Sequence, residues 1–63
     1  MSEKFKADAD KQIAAYRGAQ PRHIRARIES ALLQAESSGL REEQREYWRY
    51  IAFGCSEILL TTA

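Results

Sequence analysis

The 63 residues include one cysteine, one histidine, one proline and three glycines. A lone Cys55 cannot close an intrachain disulfide, and Cys55 with His23 cannot complete a four-ligand zinc site. No metal or other cofactor is therefore expected. A chain of this length buries only about 60% of the surface that its unfolded form exposes, and it commonly needs a disulfide, a metal or a second subunit. With the first two set aside, self-association is the expected staple. The formal net charge of +1 favours neither a polyanion nor an acidic partner. The opening MSEKFKADADK has no apolar stretch and does not read as a signal peptide. The longest apolar run contains Arg49 and Glu57 and falls short of the roughly 20 residues that span a bilayer. A single cysteine fits a reducing compartment. The expected location is the cytoplasm, away from the membrane.

Catalytic signatures are also missing. His23 and Cys55 fall on different elements, and no third polar group orients either one. The carboxylates occur in charge-paired helical runs, and no glycine-rich phosphate loop is present. The expectation is a protein that is not an enzyme and that works by contact.

What is present is helical periodicity. β-Branched residues are few, and no stretch alternates convincingly. Gly18 and Pro21 bracket one break, and Ser37-Ser38-Gly39 forms the other. The spacing predicts a single all-α domain over residues 1–63, with helices over about 2–17, 21–38 and 41–61. Ser2 can cap the first helix, on which Phe5, Ala9, Ile13 and Tyr16 share a thin apolar stripe. Lys4/Asp8 and Lys6/Asp10 are opposite charges four apart on that helix. Pro21 suits the first turn of the second helix, and Gly39 suits a left-handed cap at its end. The Ser-Ser-Gly link predicts an antiparallel helical hairpin.

The expected hairpin core is a seam of Ile24, Ile28, Ala31 and Ala35, widened by Leu32, against Tyr47, Trp48, Ile51, Cys55 and Ile58. The last five share an arc of about 100° at helical pitch. The early charges of the third helix, Glu42 with Arg45 and Glu46 with Arg49, read as pairs on a solvated face.

From Tyr47 to Leu60 the chain reads YWRYIAFGCSEILL, with ten apolar or aromatic residues in fourteen. The hairpin does not use all of them. Phe53 and Leu60 lie seven apart on the far face, next to Arg49, and Leu33 lies on the back of the second helix. Tyr50 falls off the main arc and reads as a contact residue. Three coverings compete for this surface: the first helix folding back, a second copy, or a different protein. The second makes a homodimeric four-helix-type bundle. Gly54 interrupts the same helix, either as tolerated drift or to allow close helix approach.

Arg17, Arg22, His23, Arg25 and Arg27 form the one basic patch. Cations at a helix start oppose the macrodipole. The patch could steer a partner or bind phosphates, or it could be solvated arginine covering the seam. Ala35-x-x-x-Gly39 imitates the turn of a helix-turn-helix. Gln34, Ser38 and Arg45 then occupy positions where that motif wants apolar residues.

The stretch Gln20-Pro21-Arg22-His23-Ile24-Arg25 enters a helix that turns back into a more apolar one. It resembles the TraM-type quorum-sensing anti-activators over Pro21 to about Leu60. That resemblance implies a small dimeric helical inhibitor that binds and blocks a LuxR-type transcriptional activator. The expected function is thus a protein-binding regulator acting by steric occlusion, with Arg49, Tyr50, Phe53, Leu60 and Leu33 as its dimer or partner interface. One alternative is a small nucleic-acid-associated protein using the basic patch. Another is a structural oligomerisation module.

Overall fold

In the computed structural model, which describes residues 1–62, every regular element is an α-helix. These are α1 (Glu3–Ala14), α2 (Pro21–Glu36) and α3 (Glu42–Thr62). Residue 63 of the expected domain lies outside the described residues. Ser2 is the N-cap of α1 and accepts a hydrogen bond at its hydroxyl from the Phe5 N–H at 3.3 Å. α1 stops at Ala14 rather than near residue 17. A turn follows, and Gly18 takes a left-handed φ of 84° that a side chain would resist. Pro21 is the first residue of α2, and Gly39 (φ 84°) turns the chain toward α3. The Gln44 side chain then reaches back to the Arg41 N–H at 2.9 Å, the returning half of a capping box.

α3 is the centre of the molecule. α2 packs along one flank of it and α1 along another, while no Cα of α1 comes within 8 Å of one in α2. The Cα envelope is accordingly wide and thin, 34 × 23 × 14 Å. The fully enclosed side chains are Ala9 of α1, Ile24 and Ala31 of α2, and Ile51 and Cys55 of α3, with Ala35 and Ala52 nearly so. Ile28, Tyr47, Trp48 and Ile58 pack around this group and are only partly buried.

Leu32 is a correction to the expected core, since 45% of it is exposed. Ala31 and Ala35 are the residues that meet α3, and their small side chains draw the helices together. Leu32, one position and 100° beyond Ala31, rolls off the seam into solvent.

The charge pairing also differs from expectation. Among the described residues the ion pair present joins the Met1 amino group to Glu46 at 3.1 Å. Asp8 and Asp10 do not pair with Lys4 and Lys6. They accept hydrogen bonds from the hydroxyls of Tyr47 and Tyr50, the latter at 2.6 Å. Arg45 leaves its expected solvated pairing and donates to the Ala35 carbonyl at 2.9 Å, satisfying an orphan acceptor at the end of α2.

Candidate protein-contact surface

Two features decide which residues of α3 remain free. The first is a socket. A Cβ at Gly54 would stand 2.9 Å from Ile13 Cγ1 and 3.1 Å from its Cγ2, closer than carbons pack. The missing side chain is what admits Ile13, so α1 docks on the Gly54 flank. The second is a pair of clasps, Tyr47 to Asp8 and Tyr50 to Asp10, on that same flank.

Tyr50 is therefore a correction to the expected interface: it is half-buried and occupied within the chain. The hydrogen bond to Asp10, followed by burial, pushes its phenol pKa up. For Tyr47 burial is the larger cause, followed by its bond to Asp8, and the direction is the same. In both, the neutral phenol is the form the fold holds.

With α1 on that flank and α2 on the other, the face through Arg49, Phe53 and Leu60 is uncovered. Phe53 is 67% exposed and Leu60 78%. The first helix does pack on α3, but it does not reach these residues. Phe53 stands at the rim of an open 570 Å³ groove between α1 and α3, where Asp10, Arg17, Tyr50 and Glu57 supply polar walls. Leu33, 69% exposed, lies elsewhere, beside Leu32 between Glu29 and Glu36 on α2. The expected interface thus falls into two places, a stripe on α3 and a smaller apolar spot on α2.

The basic patch divides as well. Arg17, Arg22, His23 and Arg25 are exposed. Arg27 turns inward, which corrects its assignment to partner steering. Its guanidinium lies 5.5 Å from the centre of the Trp48 ring and donates to Gln12 Oε1 at 3.4 Å, while its Nε is buried without a partner. It bridges α2 to both other helices. Trp48 in turn meets Tyr47 edge-on at 5.1 Å, and Tyr47 meets Phe5 at 5.6 Å.

Burial raises the Cys55 thiol pKa and keeps the group protonated at neutral pH. Among the described residues, no three His, Cys, Asp or Glu side chains are grouped to hold a metal ion, and no helix is long and apolar enough to cross a membrane.

Sequence reasoning offered close helix approach at Gly54 without naming Ile13 as what fills it, and it missed the two aspartates as acceptors. The signal for the aspartates was weak, because Asp8 and Asp10 each had a lysine four residues before it. No protein-family model, curated protein or solved structure matches the chain.

Proposed function

We propose that this chain is a small protein-binding regulator, not an enzyme, and that it acts by covering a partner's surface. The Arg49–Phe53–Leu60 stripe of α3 is its contact face. In this reading α2 and α3 form an antiparallel hairpin, and two copies pair into a four-helix-type bundle in the cytoplasm. The target class, a transcriptional activator, comes from the resemblance of residues 20–25 to the TraM-type anti-activators.

The observation that supports the reading is the exposure of Phe53 and Leu60 on a helix whose other flanks are already occupied. Burying each would contribute about 1.5–3 kcal/mol, a large fraction of a small domain's stability. A solvent-facing phenylalanine also forms the kind of aromatic anchor on which interfaces depend.

The test uses Phe53→Glu. Light scattering of the wild type is expected to report twice the 7.2 kDa chain mass, and the variant a folded monomer with unchanged helicity. The variant should also lose whatever protein cross-links to the wild type in its native host. A wild type that stays monomeric at high concentration would count against the pairing, and unchanged cross-linking by the variant against the contact face.

A further inference from the structure

Charge along this chain is sharply segregated. Between Asp10 and Glu29 there is no acidic residue, and the same interval holds Lys11, Arg17, Arg22, Arg25 and Arg27. Those five are half of the ten lysines and arginines of the whole chain, although its net charge is only +1. Three of them form one exposed pole with His23. The turn carrying Arg17 leads directly into the first turns of α2, which carry Arg22, His23 and Arg25. All four are exposed, and among the described residues none is in an ion pair.

This placement works against the helix that bears it. α2 has no acid in its first turn, no base in its last, and no side-chain cap at Gln20. Its glutamates, Glu29 and Glu36, sit in its second half, so its own charges reinforce the macrodipole's positive and negative ends instead of offsetting them. The far end of α2 is relieved by Arg45 of α3. The near end is left with uncompensated positive charge.

We propose that this basic pole binds the phosphodiester backbone of a nucleic acid, without reading sequence. A protein partner would call for an apolar or aromatic anchor among the charges. The pole's one large ring, Tyr16, is partly buried against the core, its other apolar residues are the small Ala15, Ala19 and Ala26, and the large exposed hydrophobics, Met1, Leu32, Leu33, Phe53 and Leu60, all lie outside residues 15–27. A surface of exposed arginines and a histidine with no large exposed anchor matches phosphate, whose recognition rests on counterion release. Arginine's planar fork suits phosphate oxygens. Arg17 borders the groove at whose rim Phe53 stands, but Arg22, His23 and Arg25 do not line it, so the proposal does not depend on the regulator reading.

The experiment is fluorescence anisotropy of labelled random-sequence DNA and RNA duplexes, titrated with the full chain over a range of salt. Binding of either duplex should weaken with salt, with a log–log slope of about −3 for roughly three to four phosphate contacts. Arg22→Ala and Arg25→Ala should each weaken binding on unrelated sequences alike and reduce the slope by about one. Arg49→Ala, equal in charge but on the α3 stripe, should change little. Both pole variants should melt slightly higher than wild type, because each removes a cation from the wrong end of a helix. That readout separates lost binding from lost folding. No duplex binding at low salt would overturn the proposal. So would equal loss from Arg49→Ala, or tighter binding of polyglutamate than of either duplex, which would point to an acidic protein instead.

Discussion

The two seams of α3 are built from different materials. Toward α2 the contact is apolar and close, with Ile24, Ala31 and Ala35 buried against a helix that contributes Ile51, Ala52 and Cys55. Toward α1 only Ala9 is buried, and the attachment depends on Ile13 in the Gly54 socket and on two tyrosine–aspartate hydrogen bonds. The first seam is held by excluded water and the second by shape and protonation. A seam of the second kind can open while the first stays closed.

The largest effect should come from the apolar seam. Ile51→Ala empties a fully enclosed site and is expected to destabilise the chain by about 2–5 kcal/mol. For a domain this small the whole fold should melt, with α1 and α2 lost together in thermal or urea unfolding followed by circular dichroism. If α2 survived while α1 melted, the two seams would not rank as described.

A smaller and more selective effect is expected from Gly54→Leu. The new side chain occupies the space of Ile13, and overpacking of this kind costs about 1–3 kcal/mol. Hydrogen exchange should accelerate in α1 amides and stay slow in α2. Uniform acceleration across all three helices would mean that α1 is integral to the core.

The mildest change is alkaline pH. Tyr47 and Tyr50 both have phenol pKa values raised above 10.0 in the folded chain, by burial and by the Asp8 and Asp10 carboxylates. A raised pKa means that the neutral form is favoured by folding. The stabilisation is therefore complete below the unfolded value near 10 and is lost as pH rises through the folded values. Ionised phenolates would face carboxylates, so α1 should release first. Tyrosinate absorbance and α1 hydrogen exchange should change together in that range, and Tyr47→Phe should remove part of the coupling with a loss of about 0.5 kcal/mol at neutral pH.

The same contrast explains how much was legible in the sequence. The apolar seam follows helical periodicity, so Ile24, Ile51 and Cys55 could be placed in the core from spacing alone. The exposed positions of Phe53, Leu60 and Leu33 follow from the same arithmetic. The polar seam could not be read this way. Asp8 and Asp10 find their acceptor roles with tyrosines 39 and 40 residues away, and a nearer lysine offered a simpler local pairing. Arg27 belonged by composition to an exposed patch, yet the Trp48 ring gives its guanidinium an interior partner. Leu32 was misplaced because periodicity fixes a residue's angle on its helix but not how the helix rolls on its neighbour.

Trp48 is the chain's sole tryptophan, and it stands where the three helices meet: Arg27 of α2 lies over its ring, and Tyr47 links its edge to Phe5 of α1. Its emission is therefore a built-in optical signal with two separable changes. Departure of α1 alters the aromatic neighbours on one side, whereas departure of α2 removes the cation over the ring and admits water to it. A single fluorophore that needs no label can thus distinguish partial opening of this molecule from complete unfolding.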